Sequence, residues 1–372
     1  MHVLVAGAGI GGLTLAAALR RAGIAVSVFE RAPTLGPAGA GITVQTNAML
    51  ALARVGLDRA VLAAGATPRR MRIANAAGAI LQDLDAVAAA APLGQPLVAL
   101  HRARLHAVLL DAAGPVETGR TVVGYREEPE RVVASLADGG EVAGDLLVGA
   151  DGLRSAVRAQ LLGETPLRYA GYTSWRGVCP NGGRFPEDAP VEIWGRGARF
   201  GIVPIGHDEI YWFATEDTPA GGHDTDAQAH LVGLFGGWAW PCAELVRATP
   251  HVLRTDIQDR DPVERWTSAR VALLGDAAHP MTPNLGQGGC QAIVDAVVLA
   301  EALAGEPALA GALARYELAR VAAANRVVRM SRTFGVVAQW ANPVAAWARD
   351  TAVRLTPAAL SVRSYRDLAE AR

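Results

Sequence analysis

The chain opens on an unbroken apolar run, His2 to Ala6. Glycines follow at 7, 9 and 12, and then a stretch with Leu15 and Leu19 on one helical face. A short run with no polar position is the pattern of a strand buried on both faces, and a four-residue apolar spacing is that of a helix. Gly23 is a natural helix stop, and Ala25 to Phe29 forms a second strand ending on Glu30. The spacing Gly7-x-Gly9-x-x-Gly12 predicts a dinucleotide site. Gly7 can take the tight turn, Gly9 has no Cβ to keep a pyrophosphate off the backbone, and Gly12 lets the helix lie close to the sheet. The helix start directs free N–H groups at the anion, and Glu30 sits where a carboxylate accepts hydrogen bonds from ribose hydroxyls. This pattern specifies a dinucleotide without separating NAD from FAD.

Farther along, a loop rich in glycine and proline covers Pro33 to Gly41, and a helix is expected over 48–55. Two strands around an alanine-rich loop are expected over 69–98, then a helix over His101–Asp111 with Arg102 in its first turn. Thr121 to Asp145 alternates like strands about a turn at 138–140. Leu146 to Ala150 is again wholly apolar and stops at Asp151-Gly152, as a parallel strand does at a ligand face; a helix is expected from about Leu153. Between Arg168 and Arg265 short alternating runs and most of the tryptophans point to an inserted antiparallel sheet. An apolar strand, 270–274, then meets Gly275-Asp276, and Pro283-Asn284-Leu285-Gly286-Gln287-Gly288-Gly289 opens another helix. The last forty residues read as helical. The predicted class is α/β: a Rossmann-like nucleotide domain (1–72, 99–165 and 266–335), a mainly antiparallel substrate domain (73–98 and 166–265) and a C-terminal helical segment (336–372).

Composition narrows the chemistry. All 35 basic residues are arginine, which removes lysine Schiff bases and PLP chemistry. Three scattered cysteines and eight histidines without ligand spacing argue against disulfides and metals. A net charge of −1 gives no nucleic-acid footprint. With no signal peptide before the first strand and no stretch expected to span a bilayer, the expected location is cytoplasmic.

The N-terminal glycine turn, Asp151-Gly152 and Gly275-Asp276 with its P-N-L-G-Q-G-G sequel together resemble the FAD-dependent aromatic hydroxylases, the single-component flavoprotein monooxygenases of the p-hydroxybenzoate hydroxylase fold. The segment Tyr169 to Gly177 is similar to that of the subgroup with urate hydroxylase, salicylate-type hydroxylases and zeaxanthin epoxidase. The resemblance implies tightly bound FAD and a visiting NAD(P)H. Gly7, Gly9, Gly12, Glu30 and Arg31 would hold the ADP half, Thr43 and Arg102 would lie near the ribityl and pyrophosphate, and Val122 would meet the adenine through its backbone. Asp151 would serve FAD and NAD(P)H, Asp276 the ribityl or pyrophosphate region, and the amides of Gly286, Gln287, Gly288 and Gly289 the pyrimidine edge of the flavin, where reduction places negative charge. The implied reaction is transfer of one oxygen atom from O₂, by a flavin C4a-hydroperoxide, to a small aromatic or otherwise electron-rich ring, giving hydroxylation or epoxidation.

No protein residue is expected to act as nucleophile, since the flavin carries the chemistry. Arg199 and Tyr211 match substrate-binding positions of urate hydroxylase, and a packing role is the alternative for each. Asn284 stands where that enzyme has an aspartate, and an amide can orient a ring but cannot ionise. His207 falls in a turn, and His279 reads as a core or backbone-orienting residue near the flavin. A flavin oxidase or reductase without oxygen insertion, and a non-enzymatic binding protein on the same fold, are the other readings. Neither oligomeric state nor substrate follows from the sequence.

Overall fold

The computed structural model describes residues 1–36 and 39–369, so Pro37 and Ala38 of the expected 33–41 loop and the last three residues lie outside the described residues. The apolar runs become the centre of a parallel sheet, ordered Val271–Leu273, Leu146–Gly149, His2–Ala6, Ala25–Glu30 and the two-residue Glu117–Thr118. Val3, Leu4 and Val5 pair with Leu146, Leu147 and Val148 on one side, and all six are fully buried. Helix Ile10–Arg21 covers this sheet, with Ile10 to Leu19 buried throughout. It stops where Gly23 takes φ 75° and the amides of Gly23 and Ile24 donate to Arg20 and Leu19, a left-handed exit that costs glycine nothing.

A seven-stranded sheet makes the second layer, ordered Leu253–Asp259, Arg168–Pro180, Glu209–Asp217, Ala198–Pro204, Val191–Trp194, Arg70–Asn75 and Ile80–Asp85. It is antiparallel except where Val191–Trp194 runs parallel to Arg70–Asn75. Alternation sorts its side chains. Trp175, Ile193, Phe200, Ile202 and Trp212 bury against helices Ala227–Phe235 and Cys242–Arg247, leaving the opposite face turned to the nucleotide domain.

Four local expectations change. The alanine-rich stretch after 85 is helix Ala86–Ala90 with Asp85 as its cap, because alanine favours helix wherever a capping side chain is to hand. The helix expected from Leu153 begins at Ala156, since Ser155 caps it by accepting from the Arg158 amide. The helices expected over 48–55 and 101–111 run Thr46–Arg54 and Arg102–Ala113. Strand Gly41–Val44 pairs antiparallel with Val98–His101, a two-stranded bridge between the layers that sequence reasoning missed.

The C-terminal part is helical: Leu309–Ala338, Pro343–Leu355 and Ala358–Ala369. Among the described residues one helix, Gly288–Gly305, is long and apolar enough to cross a membrane, and it is mostly buried as a core helix.

Candidate active site

Three strands end side by side at the carboxyl edge of the parallel sheet, and each end carries one of the expected motifs. Gly7 adopts φ 105°, and a Cβ there would run into the Ala150 carbonyl beside Asp151. A Cβ on Gly12 would collide with the Gly7 carbonyl oxygen, whereas one on Gly9 would meet nothing within 4 Å. Gly12 therefore closes the turn while Gly9 leaves room above it. Glu30 is fixed by accepting from the amides of Ala8 and Ala32, both at 2.9 Å. The Arg120 amide donates to the Glu30 carbonyl, which brings Val122 close to this corner, while the Arg31 side chain is exposed.

Asp151 caps helix Ala156–Leu162, its Oδ2 accepting from the Ala156 amide at 2.8 Å. Its Oδ1 is buried without a partner, and burial raises its pKa against the pull of those hydrogen bonds. Asp276 is exposed at the side chain yet surrounded by protein, so it lines a deep cleft. Burial raises its pKa, and the charges on His279 and Arg102 draw it back. Gly288 lies beside the Asp276 carboxylate. The strand at Thr43 is tied to the same block, since the Gln45 side chain donates to the Leu285 carbonyl at 2.6 Å. Gln287 is buried, and its side chain is held by Asn47, Gln45 and Gln291. Cys290 is buried here, and burial pushes its thiol up to about 12, so it is inert as a nucleophile.

The Gly275-Asp276 turn rests on a network that sequence reasoning missed. The Asp295 carboxylate, fully buried, accepts from the Gly275 amide (3.0 Å), from His279 Nε2 (2.5 Å) and from Arg320 Nε (2.7 Å). Arg158, also buried, donates to the Ala277 and Ala278 carbonyls. His279 is buried, with Nε2 on the Asp295 carboxylate and Nδ1 without a partner among the described residues.

On the second layer Arg199 is buried and spends its donors inside the protein: Nε on Gln339 (2.7 Å), Nη1 on Glu192 (2.9 Å) and Nη2 on the Asn284 carbonyl (2.6 Å). Tyr172 donates to the same Asn284 oxygen, and the Asn284 amide donates to Thr282 and Ser331. Tyr211 does not join them. It lies on the same sheet face, but Arg199 pairs with Thr215 and Tyr211 with Val203, four residues or about 13 Å farther along. It packs on Gly41, near Arg102, and burial raises its pKa. Phe213 lies between them over Gly201, where a Cβ would strike its ring. A cleft of about 380 Å³ reaches Asn284 and Tyr172 from outside, with Val336 and Trp340 in its wall. Tyr172, Phe213, Glu192 and Gln339 complete this face; none of the four was a candidate site residue in the sequence, although all but Gln339 stood in strands it pointed to.

Gly335 makes room for Asn284, because a Cβ there would overlap its Nδ2. Gly335→Ala should gain up to about 1 kcal/mol of helix propensity. Nevertheless it should turn the Asn284 amide away, leaving FAD bound and weakening substrate-dependent turnover. A substrate titration beside a thermal melt reads both effects.

These features fit FAD: open space over Gly9, an exposed carboxylate at depth, an unpartnered buried oxygen on Asp151 and a glycine-lined helix start. A family model described as an FAD binding domain matches residues 1–227 and 244–331. Aurachin C monooxygenase/isomerase of Stigmatella aurantiaca is 51% identical over 360 residues, 95% of this chain and 94% of that one. The 2-heptyl-3-hydroxy-4(1H)-quinolone synthase of Pseudomonas aeruginosa is 34% identical over 381 residues, 99% and 97% of the two chains. The crystal structure of Klebsiella pneumoniae HpxO with FAD and uric acid superposes with a TM-score of 0.94 at 31% identity, covering 100% of this chain and 97% of that one. Family model, relatives and whole-chain superposition agree with the convergence of the three motifs, and the chain belongs to the FAD-dependent aromatic hydroxylases, the single-component flavoprotein monooxygenases.

Proposed function

We propose that this FAD-dependent monooxygenase takes its electrons from NADH or NADPH and inserts one oxygen atom of O₂ into a bicyclic nitrogen heteroaromatic. The observation that carries the reading is the face between Arg199 and Tyr211: four residues long, with Phe213 between them and a polar group at each end, a span that suits a two-ring system. The names of the similar proteins favour the same chemistry, one a quinolone synthase and one a structure with uric acid bound.

When bound, FAD supplies the redox chemistry with O₂. The chain's own residues bind and orient. Glu30, with both oxygens already fixed by amides, receives ribose hydroxyls; Gly7, Gly9 and Gly12 with the start of helix Ile10–Arg21 receive the pyrophosphate. Arg31 and the Val122 backbone border the adenosine end. Thr43, Arg102 and Asp276 would hold the ribityl chain, and the amides of 286–289 would stabilise negative charge on the pyrimidine edge. Asp151, whose buried Oδ1 has no partner, would serve both the cofactor and the visiting nucleotide. Asn284 has all four hydrogen-bonding positions of its amide taken by Tyr172, Arg199, Thr282 and Ser331, so it fixes Arg199 and Tyr172 at this end of the face and exchanges no proton with a ring.

Arg199→Ala takes a charged donor from Glu192, Asn284 and Gln339, which keep only Trp194, Tyr172 and Thr215 as donors, a loss of about 2–5 kcal/mol where a buried charged pair is broken. The expected protein keeps FAD and loses stimulation of NAD(P)H oxidation by substrate; unchanged stimulation rejects the role. The function itself is tested with quinolones and purines, scoring stimulated NAD(P)H oxidation and the mass of one added oxygen. NAD(P)H consumed with only H₂O₂ formed, whatever the ring, would establish an oxidase instead.

A further inference from the structure

The outer face of the C-terminal helices is left without a partner by the fold. On helix Leu309–Ala338 the exposed positions Arg326, Arg329, Met330, Thr333 and Val336 recur at helical spacing, and Trp340 follows them. Val344 and Trp347, one turn apart on helix Pro343–Leu355, are 73% and 68% exposed, and Leu355 is equally bare. Trp340 and Val344 are four residues apart in the chain, hence within about 14 Å of each other. Two tryptophans and several aliphatics in the open amount to an apolar surface of the kind that marks an interaction site.

Charge says what it meets. Of the eight arginines from Leu318 to Arg366, Arg320 and Arg349 are buried and Arg332 and Arg363 are paired with acids, so the free charge of this face rests on Arg326, Arg329 and Arg354, against one acid in the stretch, Asp350. Among the described residues Arg326, Arg329 and Arg354 make no ion pair, whereas Asp350 is already held by Arg349. A second copy of this chain is a poor occupant, because a two-fold contact would set the basic stripe against itself. Arginines flanking exposed tryptophan, valine and leucine instead match an anionic membrane surface, where aromatic rings sit at head-group level and each basic residue adds attraction.

We propose that this face seats the protein on an anionic lipid bilayer, peripherally and without crossing it. Val336 and Trp340 belong both to the face and to the wall of the cleft that reaches Asn284, so the seated protein presents the cleft mouth to the lipid. A ring substrate with an apolar tail can then pass from bilayer to cleft without crossing water. The docking stands apart from the reaction assigned above, and its test reads partitioning rather than turnover.

Holoenzyme is floated with vesicles of phosphatidylcholine alone and of phosphatidylcholine with phosphatidylglycerol, at low and high salt. It should co-float with the anionic vesicles and not the neutral ones, and high salt should release it. The double variant Val344→Ser/Trp347→Ser should abolish co-flotation, and Arg326→Gln/Arg329→Gln should weaken it about thirty-fold. Both should keep bound FAD and the basal rate of NAD(P)H oxidation. The proposal is overturned if wild type stays with the aqueous fraction at low salt, or if co-flotation survives both variants. It is also overturned if the face proves to mediate self-association, seen as a concentration-dependent change in mass that Val344→Ser/Trp347→Ser removes.

Discussion

Gly12→Ala should purify colourless. The new methyl would be driven into the Gly7 carbonyl oxygen, backbone that cannot swing aside as a long side chain can. Overpacking of this kind costs about 1–3 kcal/mol and displaces the turn that holds Gly9 at its place. Gly9→Ala provides the contrast. Its methyl meets no protein atom within 4 Å, so the apoprotein should melt as wild type does. The same methyl fills the space kept for the pyrophosphate, and FAD affinity should fall at least tenfold. Visible absorbance after desalting, with melts of both apoproteins, separates the cases. Full FAD content in Gly12→Ala would mean that the turn is not where the cofactor lies.

Asp295→Ala should be the most destabilising single change in the nucleotide domain. It removes the acceptor for Arg320, His279 and the Gly275 amide at once and strands a buried guanidinium, which costs about 3–5 kcal/mol. The melting temperature should drop on the order of 10 °C. Acid adds a second signature. Burial alone would raise the Asp295 pKa, but the neighbouring His279 and Arg320 charges and their hydrogen bonds prevail and hold it at about 2. A carboxylate depressed in the folded state contributes stability in full above its unfolded pKa of about 4, and that contribution fades as the pH falls to about 2. Wild type should therefore lose this share across that interval, while the variant lacks it at every pH, so their stability curves should draw together in acid. Parallel curves down to pH 2 would reject the depressed pKa.

The contrast between these two residues explains what the sequence could reveal. Gly12 was legible because its constraint is local: the spacing to Gly7 and Gly9, and the apolar runs on either side, carry it. The parallel strands were legible for the same reason, since after His2 the runs Val3–Ala6, Leu146–Gly149 and Val271–Leu273 have no polar position to confuse the period. Asp295 sits mid-helix among alanines and valines, and its three partners lie 16 to 25 residues away in other elements. Nothing in its neighbourhood marks it. Arg158 and Arg320 escaped as buried hubs because arginine is ordinarily a surface residue, and burial is settled only by what packs above it. Arg199 and Tyr211 were found together on a resemblance. That they stand at opposite ends of one sheet face follows from the register of two strands, which turn geometry and packing fix.

Helix Leu309–Ala338 touches both halves of this machinery. Near its start Tyr316 donates to the Leu273 carbonyl and Arg320 grips Asp295, while near its end Ser331 and Gly335 seat Asn284, and Gln339 just beyond it holds Arg199. From Arg320 to Gln339 is a lever of about 28 Å. One continuous helix therefore carries the supports of both the Gly275-Asp276 turn and Asn284, so a substitution that bends or shortens it should disturb both places at once.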